Sequence, residues 1–255
     1  MARLDEVHRR DEGVWRVRDA AAHGRRVRSM FARISGGYDR MNHLLSLNLD
    51  QSWRRNLARR LDDDAWEVLD LCAGTGDLAL ACRRAGKGRA WLAADFCPEM
   101  LRGARGKDGA EDLRPVVADC LRLPLPDWTV DAVVVGFGVR NLADVRAGLD
   151  EMTRVLRPGG QIALLDFYRD APAAAGEERG KALPARWLVN SVVPLLGRAM
   201  VGDGHAYGYL PGSVGEFLTP GQMASLLREY GYVNIYVQRQ TFGIAHLVGG
   251  RRPSA

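Results

Sequence analysis

The chain has 255 residues, 47% hydrophobic and 26% charged, enough to bury roughly three quarters of its unfolded surface as one domain. Its formal charge of +5 comes from arginines scattered among almost as many carboxylates, which speaks against nucleic acid as a partner. The four cysteines, Cys72, Cys82, Cys97 and Cys120, form no C-x-x-C pair and no zinc-ligand spacing; they read as reduced thiols, and no metal is expected.

Residues 1–29 mix arginines with carboxylates and lack the apolar core of a secretory signal, so a polar arm on a cytoplasmic chain is expected. One domain follows over 30–250, with a tail at 251–255. Its first part, 30–60, has a helical pattern with an interruption. Apolar runs at Glu67–Leu71, 90–94, 116–118, 130–135 and 161–167 alternate with helix-length stretches, the pattern of a parallel sheet covered on both faces. Between the last two runs, 141–156 places Leu142, Val145, Leu149, Met152, Val155 and Leu156 on one side of a helix that Arg157-Pro158-Gly159-Gly160 ends. Residues 171–182 read as a solvated loop. Over 184–201, Leu188, Val192, Leu195 and Met200 face away from Arg186, Asn190 and Arg198. That pattern fits an amphipathic lid, an interfacial helix or a helix packed on the sheet; Pro194 kinks it, and it is too interrupted to span a membrane. Runs at 235–240 and 243–248 predict an antiparallel hairpin at the sheet's edge, with Gly243 at the reversal.

The run "VLDLCAGTGD" at 68–77 breaks a strand into a glycine loop. Gly74-Thr75-Gly76-Asp77-Leu78-Ala79 fits the G-x-G-x-x-A form of the dinucleotide fingerprint, and Asp95 lies where an acid would take ribose hydroxyls. A pyrophosphate wants the bare positive end of the helix, whereas Asp70 and Asp77 would repel it. A cofactor with an ammonium and a sulfonium has the opposite preference, so S-adenosylmethionine fits better than a dinucleotide. Asp77 has a structural alternative as a first-turn acid of the helix. Asp119 follows the third strand, where a carboxylate can meet the adenine amine while the N–H of Cys120 meets a ring nitrogen. Acids at three successive strand ends point to one ligand more firmly than any one of them.

Five segments carry a further resemblance: "FARISGGYDRMNHLLSLNLDQSWRR" from 31, the glycine loop, "ADFCPEML" from 94, "VVADCLRLPLPDWTVDAVVVGFGVRNLADV" from 116, and "YGYLPGSVGEFLTP" from 207. Over 30–250 the chain resembles the ubiquinone/menaquinone biosynthesis C-methyltransferases. That resemblance implies the α/β fold of the class I S-adenosylmethionine-dependent methyltransferases, with a mostly parallel seven-stranded Rossmann-like sheet, helices on both faces and an antiparallel C-terminal hairpin. It implies a helical lid at 30–60, a substrate-side insertion at 168–218, and a polyprenylated quinol as acceptor. The expected cofactor contacts are Tyr38, Asp70, Ala73, Gly74, Thr75, Gly76, Asp95, Phe96, Met100, Asp119, Cys120 and Gly136. Two positions depart from the family pattern: Gly136 replaces the usual serine, leaving a backbone contact only, and Asn48-Leu49-Asp50 replaces Gly-x-His, while Trp53 and Arg54 keep the pattern.

Methylating a ring carbon needs electron density, which deprotonating the neighbouring quinol hydroxyl supplies, and alignment in a dry pocket. Arg140 is the candidate for stabilising the phenolate; its structural alternative is a salt bridge. Asp166 and His205 are candidate proton acceptors, and Asn141, Tyr207 and Tyr209 candidate contacts to the quinol, with an N-cap as the alternative for Asn141. The lipid tail of such a substrate implies peripheral contact with the inner face of a membrane. A homodimer is a further expectation. The competing readings are a methyltransferase of another small acceptor and a noncatalytic scaffold.

Overall fold

The computed structural model describes residues 16–17, 19–169, 214–215 and 217–254. The elements, in order, are α1 (Ala20–Ile34), α2 (Tyr38–Leu45), α3 (Leu49–Ala58), β1 (Glu67–Leu71), α4 (Asp77–Arg84), β2 (Ala90–Asp95), α5 (Pro98–Arg102), β3 (Leu113–Val117), β4 (Val130–Gly136), α6 (Val145–Val155), β5 (Leu156–Asp166), α7 (Pro220–Glu229), β6 (Val233–Gln240) and β7 (Ala245–Arg251). The seven strands form one sheet in the order β3-β2-β1-β4-β5-β7-β6. The first five are parallel; β7 runs antiparallel between β5 and β6.

Strand alternation sorts the core into two layers. Val68, Val134 and Leu165 pack with Trp53 and Leu57 of α3 and Leu78 and Leu80 of α4. Leu69, Val133, Val135 and Leu164 pack on the other face with Leu149 and Met152 of α6 and Leu227 of α7. The strand order turns at β1, with β2 on one side and β4 on the other. Such a switch point parts the loops beyond the strands' carboxyl ends and leaves a crevice.

Three sequence expectations are corrected. The stretch assigned to the arm is folded from Ala20 onward: α1 is capped by Asp19, whose side chain accepts from Ala22 N at 2.9 Å, and it buries His23 and Val27. Ahead of it Val17 is buried and donates to Ala143 O at 2.8 Å. The helix expected from 141 starts at Val145, because Asp144 is its cap and Val139–Asn141 forms a separate 3-10 turn. Strand pairing begins at once after that helix, with Leu156 opposite Val130, and resumes with Gln161 opposite Ala132. The residues between bulge out around Gly159, at φ +79°, and Gly160, whose missing Cβ would lie 2.7 Å from Asp131 O. The expected loop at 171–182, the helix at 184–201, and His205, Tyr207 and Tyr209 lie outside the described residues.

Candidate functional site

The crevice beside β1 is a cleft that takes in about 780 Å³ of space, part of it open solvent. Its floor comes from the strand ends: Leu71, Cys72 and Gly74 after β1, Asp95 and Phe96 after β2, Ala118 to Leu121 after β3, and Gly136 to Gly138 after β4. Helix α1 roofs it with Ala20, His23, Gly24, Val27 and Phe31, and Tyr38 of α2 closes one side. Tyr38, Gly74, Asp95, Phe96, Met100, Asp119, Cys120, Gly136 and Asn141 of the expected site thus face one space. His23 was not foreseen; its signal was the spacing of four that puts His23, Val27 and Phe31 on one helix face, hidden among arginines.

The glycine loop owes its shape to backbone geometry. Cys72 and Gly74 have φ of +56° and +57°, and Gly76, at +77°, turns the chain into α4. A Cβ at Gly74 would stand 3.3 Å from Met100 Cε, so glycine keeps open the space by which a ligand approaches the backbone. Ala73 N bonds to Ala94 O at 3.0 Å and Gly76 N to Ala73 O at 2.9 Å; these residues and Thr75 shape the loop, and none of the three lines the cleft. Asp95 braces it, its two oxygens accepting from Gly74 N and Cys97 N at 2.8 Å each. Burial raises its carboxyl above the usual range.

The carboxylates beside the loop differ from expectation. Lys107 holds Asp77 at 2.7 Å, Asp39 at 2.6 Å and the carbonyl of Thr75 at 2.9 Å, while the Thr75 hydroxyl donates to Asp39 at 2.5 Å. Burial opposes ionisation of Asp77, but Arg54, Lys107 and His43 together hold its carboxyl below the usual value. Its charge is therefore met within the protein, and the electrostatic argument for a cationic ligand loses this acid. Asp70 is fully buried; one oxygen accepts from Ala79 N at 3.0 Å and the other has no donor among the described residues. Burial lifts its carboxyl to about 7. Among the described residues, the acids lining the cleft itself are Asp95 and Asp119. Asp119 accepts from Leu121 N at 2.9 Å through one oxygen.

Beyond β4, Arg140 is buried in the 3-10 turn. Its Nη1 donates to Asp166 at 2.5 Å and to Phe137 O at 2.7 Å, and its guanidinium lies 5.3 Å from the Phe167 ring centre. Asp166 is fully buried and also accepts from Arg140 N at 3.1 Å and Phe167 N at 2.8 Å. With both oxygens engaged, by the Arg140 side chain and by two backbone N–H groups, it acts as the counter-ion of Arg140. The Nε of Arg140 is buried with no acceptor among the described residues, an orphan donor that demands a partner. Asn141 caps no helix; its carbonyl lies 3.0 Å from His23 Nε2, and its buried Oδ1 has no donor among the described residues.

Trp53, Phe137 and Phe167 stack beside these groups, with ring centres 4.9 to 6.0 Å apart. Trp53 is held by a 2.8 Å bond to the Thr241 hydroxyl. The departure at 48–50 also has a structural account. Asn48, at φ +60°, turns the chain into α3, and the buried Asp50 ties α2 to α3 by accepting from His43 Nδ1 at 3.0 Å and Ser46 Oγ at 2.7 Å. Among the described residues no group of three or more His, Cys, Asp or Glu side chains could hold a metal, and no helix is long and apolar enough to cross a membrane.

This sheet order, with its cleft at the β1/β4 switch point and its glycine loop braced by the acid after β2, is the fold of the class I S-adenosylmethionine-dependent methyltransferases. The same fold recurs in the solved methyltransferase from Haloferax volcanii in complex with its Trm112 activator, which is 18% identical with a TM-score of 0.62, covering 88% of this chain and 97% of that one. The profile of the ubiE/COQ5 methyltransferase family matches residues 19–251, and the chain belongs to that family. The demethylmenaquinone methyltransferase of Deinococcus radiodurans is 41% identical over 92% of this chain and 97% of its own length. That of Thermus thermophilus is 39% identical over 88% and 100%. The chain is thus an S-adenosylmethionine-dependent methyltransferase of quinone biosynthesis.

Proposed function

We propose that this enzyme methylates a ring carbon of demethylmenaquinol, and that the cleft under α1 is where it holds its methyl donor. The observation that carries the reading is the buried, unpartnered Nε of Arg140, fixed by Asp166 at the cleft's edge beside the Trp53, Phe137 and Phe167 rings. The two relatives described above support the naphthoquinol over a benzoquinol of the ubiquinone pathway.

When bound, the donor supplies a methyl group on a cationic sulfur that a carbon nucleophile can displace. The chain's groups fit it: the cradle at Gly74 admits a ligand to the backbone, and Asp95 and Asp119 are acceptors at two strand ends. Asp95 takes the ribose hydroxyls, Asp119 and the Cys120 N–H take the adenine, and Phe96, Met100 and Tyr38 cover it. Asp70, Ala73, Thr75 and Gly76 set the loop from behind, and Gly136 offers backbone only. Arg140 stabilises the quinol oxygen as it loses its proton, with Asp166 as its positioning residue, and Asn141 Oδ1 accepts from a substrate hydroxyl. The aromatic group excludes water from the reacting carbon. His205, Tyr207 and Tyr209 retain their expected roles as proton acceptor and quinol contacts through the family resemblance alone.

A prenylated substrate resides in a bilayer, so the protein works in peripheral contact with the inner face of the membrane. Exposed Phe242 and Leu47, 74% and 61% accessible, support that reading. The test is transfer of a labelled methyl from S-adenosylmethionine to reduced demethylmenaquinol and, separately, to the benzoquinol, each in detergent. Label in the naphthoquinol is the expected result; label in neither, with cofactor binding intact, overturns the acceptor assignment.

A further inference from the structure

A buried cation beside the cleft has been given only one part so far, that of lowering the Asp77 carboxyl with Lys107 and His43. Arg54 projects from α3 and is only 7% accessible. Its Nε approaches Asp50 at 3.4 Å and its guanidinium lies 5.5 Å from the ring centre of Phe137. Its two Nη groups donate to none of the described residues, as every bond of this side chain is the one to Asp50. Asp50 has other donors, in His43 and Ser46. Lys107, the neighbouring cation, is consumed by Asp39, Asp77 and Thr75. Arg54 therefore keeps hydrogen-bond donors to spare, and neither Nη is among the fully buried polar atoms that lack a partner, so they retain some access to open space.

Residue 136 decides what this guanidinium can reach. A Cβ there would stand 3.7 Å from Arg54 Nη1 and 3.1 Å from Leu78 Cδ2. Gly136 and Phe137 both line the cleft. With glycine at 136 this residue puts no side chain beside the guanidinium, whereas a serine would place its Cβ within 3.7 Å of Nη1. The departure from the family's serine and the spare donors of Arg54 thus meet at one point.

We infer that Arg54 is a cofactor-binding residue, reaching through the gap at Gly136 to hold the carboxylate at the amino acid end of the methyl donor. The inference rests on the reading of the cleft as the donor's site. A planar guanidinium meets a carboxylate by two parallel bonds, and its stacking on Phe137 fixes the plane.

The experiment is calorimetric binding of S-adenosylmethionine and of its decarboxylated analogue, which differ only in the carboxylate, to the full chain and to Arg54→Met and Arg54→Lys. Arg54→Met should weaken S-adenosylmethionine by about 10- to 100-fold, the loss of a charge-assisted pair, and leave the analogue unchanged. Arg54→Lys should show a smaller loss, again only for the ligand with the carboxylate. If Arg54→Met does not fold, the lysine variant decides by the same criterion. Equal losses for both ligands, or no loss for S-adenosylmethionine, overturn the inference and leave the donor site standing. Failure of the unaltered chain to bind either ligand overturns both.

Discussion

Asp70 allows a quantitative test of the groups under the glycine loop. Its carboxyl is fully buried with one oxygen lacking a donor, and burial lifts it from 3.8 to about 7. Because the folded value exceeds the unfolded one, the native state holds this proton more tightly. The stability it contributes is complete at low pH and is lost as pH rises through about 7. At 1.36 kcal/mol per pH unit, the group should cost the fold roughly 2.5 kcal/mol between pH 5 and pH 8. Asp70→Asn has no proton to lose, and its amide oxygen can still accept from Ala79 N, so that loss should vanish. One kcal/mol moves the melting temperature of a chain of this size by about 2–4 °C. The melting temperature of the unaltered protein should therefore fall by about 5–10 °C more than that of Asp70→Asn over the same pH range. Circular dichroism melts at four pH values would measure it. Parallel curves for the two proteins would refute the reasoning and mean that Asp70 stays ionised throughout, held by Arg54.

Other outcomes follow from the same geometry. Arg140→Lys keeps a charge for Asp166 but removes the Nε donor; kcat should fall about 100-fold with S-adenosylmethionine affinity unchanged, and an unaltered kcat would remove Arg140 from the reaction. Asp166→Ala leaves a buried guanidinium unpaired and should destabilise the fold by about 3–5 kcal/mol in urea melts; a loss under about 1 kcal/mol would mean that the pair is not formed. In Gly138→Ala the new Cβ collides with Cys72 Cβ and lies 3.1 Å from Val135 Cγ1. Overpacking of this kind should cost about 1–3 kcal/mol and weaken cofactor binding; an alanine variant as stable as the parent would show that the two loops are free to part.

The parallel sheet could be read from the sequence because its central strands, β1 and β4, are buried on both faces and so appear as nearly unbroken apolar runs. The glycine loop could be read because two of its positive-φ positions, 74 and 76, carry glycine. What sequence hid was long-range pairing. Nothing in "VRN" at 139–141 or "LDF" at 165–167 reveals that Arg140 donates to Asp166, and Asp77 looked like a ligand acid until Lys107 came to meet it from thirty residues away. Helix α1 escaped notice because its buried stripe is narrow and begins with a histidine, His23, ahead of Val27. Its removal from the expected arm matters, since it forms the roof of the cleft.

Lys107 has a consequence beyond holding a loop. One ammonium joins the helix that closes the cleft, through Asp39, to the head of α4, through Asp77, and to the glycine loop between them, through the Thr75 carbonyl. The lid at 39 and the loop at 75–77 are distant in sequence yet answer to a single charge. A lineage that exchanged the lysine for a neutral residue would strand two carboxylates at once, so positions 39, 77 and 107 should drift together or remain still. The triad acts as one heritable character, and its joint fate in descendants is a record of whether lid and loop have been selected as a unit.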